Sequence, residues 1–384
     1  MRVRGVLFQI HLWTGLVLCA PLVVIGLTGS VLVFHHELND ILLPKMPIAS
    51  LGEAKSPGAL LEAAAAVAPR ELRATFVSID EEQGKPARVR FQMPGQQPGP
   101  GATGLQVFLD PSTASVIGTY ERLGMVEPLS TLHRLHGNFL IAGRDGRELV
   151  GWFGVAMLGL GMTGLVLWWP KAGKWRQAFL VKRGARGLRL HRDLHGAAGI
   201  WMWLVFVVVS FTGVFIAFPQ TVTAGIHMVF PGRDLRATAN AIKVKPIEVG
   251  SSMALDDAVA IAAAAVPGTR FYFAQLPQKS DQPLRIALIG PDYRHGQPFV
   301  TAFIDPWTAQ IIELRDPRQF TAGETIQAWQ RALHEGEGAG WIYKILVFFS
   351  GLLPLLFSAT GATMWVLKRR AKRPATRVLD VLAG

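Results

Sequence analysis

The chain has 384 residues, half of them hydrophobic and only 17% charged, a balance too apolar for an ordinary soluble protein of this size. Its formal net charge is +12, and a basic chain invites a nucleic-acid reading. The placement of the charge argues against nucleic acid, because the basic excess flanks four long apolar stretches as in membrane proteins.

The first stretch, roughly Ile10–Phe34, is long enough to cross a bilayer core of ~30 Å, which takes about 20 apolar residues. It begins like a signal peptide, but the run is long, lacks a small-x-small cleavage site at a sensible position and ends in Phe34-His35-His36-Glu37. It reads as a retained anchor. The sole cysteine, Cys19, falls inside it, which leaves no disulfide framework, cysteine metal cluster or iron–sulfur ligand set. The segment 1–36 is therefore the first transmembrane helix. Residues 37–147 form the first extracytoplasmic α+β domain. There Ala59–Pro69 reads as an Ala-rich helix stopped by proline. Alternating apolar residues on both sides of Asp110-Pro111 read as a β-hairpin, and Pro94–Gly104 reads as a flexible excursion.

The second span is Leu149–Trp169, within a segment 148–169, followed by a basic connection at 170–196. The third is Ala197–Phe218, within 197–218. Residues 219–340 repeat the loop pattern, with an Ala-rich helix ending at Pro267 and a hairpin at Asp305-Pro306. The fourth span, Trp341–Leu367, leads into a basic tail at 368–384. Segments 1–36, 170–196 and 368–384 hold 16 basic residues against 2 acidic ones, whereas loops 37–147 and 219–340 each hold 11 basic and 12 acidic. The positive-inside rule then puts both termini in the cytoplasm, where the basic segments also meet anionic membrane lipid.

The chain is written twice. His11 precedes Thr28-Gly29 by 17 residues to the threonine, and His195 precedes Thr212-Gly213 by the same 17. His136 leads to Thr163-Gly164 and Trp168, and His334 leads to Thr360-Gly361 and Trp365. Both halves start on the same side, so they are parallel repeats related by an axis along the membrane normal. The expected fold is a membrane α-helical, four-transmembrane-helix bundle of two parallel repeats, carrying two small periplasmic α+β domains.

Of the ten histidines, two pairs stand at equivalent positions in both halves: His11 with His195, and His136 with His334. Ionisable residues at membrane depth are costly and mark functional sites. A lone interfacial imidazole is usually bland, but the repeat directs each pair at a common axis. Two opposed imidazoles across a bundle are what a six-coordinate haem iron needs. Gly15 and Gly199 lie one turn beyond His11 and His195 on the same face, and Gly29 and Gly213 lie five turns on. Small residues there pack helices closely or leave room for a macrocycle. His191 is one turn before His195; His35, His36 and His133 are reserve ligands on the outer side. Arg134, Arg192 and Arg331 flank the motifs and could pair with propionates, or be plain interface charges. Trp168, Trp169, Trp341 and Trp365 fall at helix ends, as an aromatic belt does. One haem at either face would leave most of the membrane uncrossed, so about two are expected.

Thr28–Leu38, Leu132-His133-Arg134-Leu135-His136-Gly137 with Thr163-Gly164, and the hairpins at Asp110-Pro111 and Asp305-Pro306 resemble the PepSY-associated transmembrane family over nearly the whole chain. The second half departs from the family pattern where Pro219-Gln220 replaces His35-His36 and where His334 lacks a preceding histidine. The resemblance implies an iron-regulated protein of the bacterial inner membrane, and for some members a reductase that binds haem b and acts on a periplasmic ferric siderophore. The electron donor would be a cytoplasmic reductant or quinol. The rivals are a non-enzymatic membrane protein that binds, senses or regulates a periplasmic partner such as a protease, and a small transporter. Against the transporter, the spans contain no internal Asp, Glu or Arg and no evident broken helix pair.

Overall fold

The structure, a computed structural model, describes residues 3–42, 50, 52–82, 84–96, 103–122, 125–246 and 253–372. Most of the excursion expected at 94–104, and the basic tail beyond residue 372, lie outside the described residues.

The first apolar stretch is not one straight helix. Helices α1 (Val3–Val17) and α2 (Cys19–Leu32) meet at Leu18 with a bend of 69°. Pro21 has no N–H to give the Val17 carbonyl, and its ring crowds that carbonyl, so the helix breaks just before it. After α3 (His35–Leu42), α4 (Pro57–Ala65) and α5 (Glu127–Asn138) comes the long α6 (Gly143–Trp168). Then follow α7 (Trp175–Ala178), α8 (Gly187–Ala217), α9 (Pro219–His227), α10 (Leu235–Ala241), α11 (Leu255–Ala265), α12 (Ala322–Glu335) and α13 (Trp341–Lys372). Helices α6, α8 and α13 are long and apolar enough to cross a membrane, and the bent pair α1–α2 makes a fourth crossing if counted as one span. The chain is thus a multi-pass membrane protein. Helix α8 starts ten residues before the apolar stretch, at Gly187 instead of 197, so His191 and His195 stand inside it.

Small residues bring the spanning helices together, as expected where lipid offers no hydrophobic contrast. A Cβ at Gly26 of α2 would overlap the Gly351 carbonyl of α13, and one at Gly351 would overlap Ser30. Ser30 Oγ also donates to the Phe348 carbonyl at 2.9 Å. Across the bundle, Gly151 of α6 sits against Ala217 and Phe218.

At one end of the bundle the two loops share a single sheet instead of standing apart. Its strands are β1 (Arg73–Ser78), β2 (Ala87–Gln92), β3 (Thr103–Leu109), β4 (Val116–Arg122), β5 (Arg270–Gln275), β6 (Leu284–Ile289), β7 (Val300–Ile304) and β8 (Ile311–Arg315). The order is β4-β3-β2-β1-β5-β6-β7-β8, and every pairing is antiparallel. The loops join where Val77 of β1 faces Ala274 of β5. This closes the inner edge of each four-stranded half, edges that would otherwise expose a row of unpaired backbone groups. Leu60, Val77, Val89, Val107 and Leu109 from the first loop share one buried core with Leu255, Ala258, Ile286, Leu288 and Ile304 from the second. The N-terminus of α4 is tied across by Gly58 N, which donates to Asp256 Oδ1 at 2.7 Å.

Both hairpins at the Asp-Pro motifs form. The Asp110 carboxylate accepts from the Ser112 N–H at 2.8 Å, and the Asp305 carboxylate from the Trp307 N–H at 2.8 Å. Ala114 and Ala309 then take the left-handed conformation, φ 60° and 59°, and the register shifts at Phe108/Leu109 and Phe303/Ile304. A type I turn followed by a left-handed residue and a bulge has this shape.

Candidate functional site

The four repeated Thr-Gly pairs and the four repeated histidines meet in space. His11 Nδ1 lies 2.9 Å from Thr163 Oγ1, and His195 Nδ1 lies 2.8 Å from Thr360 Oγ1. His136 Nδ1 lies 3.1 Å from Thr28 Oγ1 and 3.0 Å from the Ile25 carbonyl. His334 Nδ1 lies 3.1 Å from Thr212 Oγ1 and 3.1 Å from the Val209 carbonyl.

The threonines fix the tautomer. Each spends its one hydroxyl proton on the carbonyl four residues back: Thr28 on Val24 at 2.7 Å, Thr163 on Gly159 at 2.7 Å, Thr212 on Val208 at 2.9 Å and Thr360 on Leu356 at 2.7 Å. The hydroxyl oxygen can then only accept, so Nδ1–H donates and the Nε2 lone pair is left free. Among the described residues no hydrogen bond involves any of these four Nε2 atoms. A histidine whose second nitrogen is held by a neighbour is in the state a metal ligand needs.

The glycine of each pair makes room for the ring. A Cβ at Gly29 would stand 2.8 Å from His136 Cε1, at Gly213 3.1 Å from His334 Cε1, at Gly164 3.4 Å from His11 Cε1 and at Gly361 3.9 Å from His195 Cε1. Gly29 and Gly213 therefore serve the His136–His334 pair and not the helix face of His11 and His195. Gly29 lies about five turns beyond His11, past the bend at Leu18, and so at the other pair of rings. In α8 the five-turn count holds along the axis, and a different ring occupies the space.

The rings come together in pairs. The His11 and His195 centroids are 6.2 Å apart, and those of His136 and His334 are 6.0 Å apart. With ~2 Å from metal to imidazole nitrogen and ~1 Å from that nitrogen to the ring centre, two axial imidazoles on one metal have centroids ~6 Å apart. Along α8, His195 and Thr212, the anchor of His334, are separated by ~25 Å at 1.5 Å per residue. The two pairs thus stand near opposite ends of the bundle.

His11 and His195 border a cavity of about 1350 Å³ with walls that include Leu12, Leu16, Met157, Leu160, Phe206 and Phe357. That volume exceeds the ~300–1,000 Å³ of an ordinary small-molecule pocket. Gly15 and Gly199 line it. A Cβ at Gly15 would approach only Leu160, at 3.9 Å, and one at Gly199 only Phe357, at 3.8 Å, so at both positions a methyl group would meet its neighbour at ordinary contact distance without overlap. The lining also includes Arg4, Lys171, Lys174, Arg189, Arg192 and Lys368, with Asp193 as the one acid among its residues. A flat apolar ring bearing carboxylates, with an iron taking two axial imidazoles, fits this donor set, this space and this charge.

The remaining candidates lie elsewhere. His191 is absent from the cavity lining, and its Nδ1 is buried without a hydrogen-bond partner among the described residues. His35 Nδ1 is spent on the Leu32 carbonyl at 2.8 Å. The His36 ring packs against His35, tilted by 41° with centroids 3.9 Å apart, and reaches His295, not His136 or His334. His133, one turn before His136 on α5, makes no ring contact with either pair. Arg134 pairs with Glu127 at 3.5 Å and Arg331 with Glu335 at 2.8 Å, while Arg192 lines the cavity. Sequence reasoning used the threonines only as markers of the repeat. Their fourfold recurrence beside glycine was the signal that each had a partner.

Comparison with known proteins places the chain in a family. The chain is 29% identical over 271 residues to an uncharacterized protein of Pseudomonas aeruginosa, a match covering 65% of this chain and 66%, just under two thirds, of that protein's length. The model of the PepSY-associated TM region matches residues 8–368, nearly the whole chain. The chain belongs to the PepSY-associated transmembrane family.

Proposed function

We propose that the chain is a haem-containing reductase of the bacterial inner membrane that transfers electrons to a periplasmic ferric siderophore and releases iron(II). The observation that carries this reading is the set of four threonines that hold Nδ1–H on four histidines and leave Nε2 unbonded, with the rings in two pairs whose centroids are 6.2 and 6.0 Å apart. His11 and His195 would hold one haem b, and His136 and His334 a second. The bound group supplies reversible one-electron chemistry at its iron. The chain's own part is to keep each imidazole in the ligating tautomer, to open space with Gly15 and Gly199, and to meet carboxylates with basic side chains such as Lys171 and Arg192 at the cavity.

The charge distribution supports cytoplasmic termini and a periplasmic sheet, so that a cytoplasmic reductant or quinol would serve as donor and the sheet would dock the ferric complex. Ferric siderophores hold iron(III) with hard oxygen ligands; adding one electron weakens that hold and frees iron(II). The bent α1–α2 pair is a feature shared with transporters and removes one sequence argument against that class. The break follows from Pro21, however, and no charged residue lies between Gly5 and Phe34. Pyridine haemochrome analysis of the purified chain tests the reading, with about two haems per chain expected. His11→Ala or His195→Ala should remove one, and His136→Ala or His334→Ala the other. A ratio near zero in protein made with ample haem ends it and favours a binding or sensing role.

A further inference from the structure

Where the sheet meets the bundle, a second group of potential metal ligands lies apart from the two ring pairs. His36 at the start of α3, His295 in the turn between β6 and β7, and Glu337 just past α12 offer ligand atoms that all lie within 4.8 Å of one another. We propose that these three side chains form a binding site for a divalent first-row transition metal ion. His36 Nε2 and His295 Nε2 are 3.2 Å apart. Two imidazole nitrogens on one metal, with bonds of ~2.1 Å at 90–109°, stand ~3.0–3.4 Å apart.

Three further features fit a built site. First, His295 Nδ1 bonds Glu81 Oε1 at 2.5 Å. A carboxylate that holds the far nitrogen of a histidine fixes the ring and raises its basicity as a ligand, and it directs Nε2 toward His36. Second, backbone contacts lock His295 to Glu337. Gly338 N donates to the His295 carbonyl at 2.9 Å, Gln297 Nε2 donates to the Gly338 carbonyl at 3.1 Å, and a Cβ at Gly296 would overlap Glu337. Third, the charge balance admits a cation. Glu337 Oε1 and Glu37 Oε1 both take the buried Lys344 ammonium, at 2.9 and 2.6 Å, and Glu37 Oε2 is buried without a hydrogen-bond partner among the described residues. Glu37, Glu81 and Glu337 thus outnumber the Lys344 ammonium; of the nearby guanidinium groups, Arg88 pairs with Asp80 at 3.5 Å and Arg270 donates to the Glu81 backbone carbonyl at 3.1 Å.

Two imidazoles and one carboxylate suit iron(II), cobalt(II) or zinc(II) better than magnesium or calcium, which prefer all-oxygen shells. His36 is exposed, so an ion has a path in from the aqueous side, and water completes the shell. On the reductase reading the site would hold iron(II) on its way out; that role, unlike the site itself, rests on that reading.

The test uses the full chain in detergent, stripped with a chelator and dialysed against zinc(II), with zinc per chain measured by elemental analysis and haem by haemochrome on the same samples. One zinc per chain is expected. His36→Ala and His295→Ala should each weaken binding at least tenfold with haem content unchanged, and Glu81→Gln about tenfold through loss of the orienting bond. Zinc absent from the wild-type chain, or retained equally by His36→Ala and His295→Ala, would overturn the proposal. Zinc absent from a wild-type chain that carries haem removes this site alone, and zinc bound to a wild-type chain that takes up no haem removes the reductase reading alone.

Discussion

An alanine series at the four glycines beside the histidines should produce a graded response set by distance. Ordinary contact with a Cβ begins near 3.4 Å; the closest approach is 2.8 Å at Gly29 and 3.1 Å at Gly213, shortfalls of 0.6 Å (3.4 less 2.8) and 0.3 Å (3.4 less 3.1), while Gly164 and Gly361 have none, at 3.4 and 3.9 Å. The His136 ring cannot retreat freely, because its Nδ1 is held by both Thr28 and Ile25. Overpacking of this kind costs ~1–3 kcal/mol, which at ~1.4 kcal/mol per factor of ten is roughly a 5–150-fold loss of ligand-site affinity. Gly29→Ala should therefore lose haem most readily on gel filtration, Gly213→Ala less, Gly164→Ala little, and Gly361→Ala should match the wild type. Retention is followed by the ratio of haem to protein absorbance, with the melting temperature as a folding control. Equal loss at all four positions, or greater loss at Gly361 than at Gly29, would refute the claim that each glycine makes room for its ring.

Thr163→Val and Thr360→Val remove the acceptors for His11 and His195 Nδ1 and should weaken haem retention about 10–100-fold, with serine restoring it; retention unaffected by valine would mean the hydroxyls do not orient the rings. Gly351→Val should wedge α13 from α2 at Gly26 and Ser30, destabilising the chain by about 1–3 kcal/mol, read as a lower melting temperature; an unchanged melt would show the helices are free to separate. Burial pushes the Glu324 carboxyl up, but the Arg233 guanidinium and the Thr321 N–H outweigh it and hold the group below its ordinary 4.5. A depressed carboxylate contributes stability above its unfolded pKa and loses it as pH falls through the folded value. Glu324→Gln should therefore flatten the fall in melting temperature below about pH 4.5, and an identical acid slope in both proteins would contradict this.

The spans α6, α8 and α13 and the two Asp-Pro hairpins were legible because each depends on local pattern: apolar length for the helices, an aspartate and proline followed by alternation for the turns. The bend at Leu18 was less legible, since hydropathy is continuous through Pro21 and only backbone hydrogen bonding stops there. The five-turn count joins Gly29 to His11 and Gly213 to His195, but a helical phase fixes a face and not a position along the axis, and five turns on each glycine stands beside a ring of the other pair. The pairing of β1 with β5 is a contact between strands some 200 residues apart, and no local period records it. Histidine pairing was readable from the repeat, but the hydroxyl that sets each tautomer needed the fold, because Thr163 lies 152 residues from His11 and Thr28 lies 108 from His136. His295 and Glu337 carry no motif at all; they meet His36 only through the docking of the 294–297 turn on the 336–338 turn.

Anaerobic reoxidation measures electron transfer to iron directly. The purified chain is reduced with dithionite, freed of excess reductant and mixed with a ferric hydroxamate siderophore in the presence of an iron(II) chelator. The reduced haem absorption should be lost in step with formation of the iron(II) chelate, one electron per iron, and His136→Ala or His334→Ala should slow the reaction. A reduced absorption that persists, or iron(II) that forms at the same rate without the protein, would contradict the account.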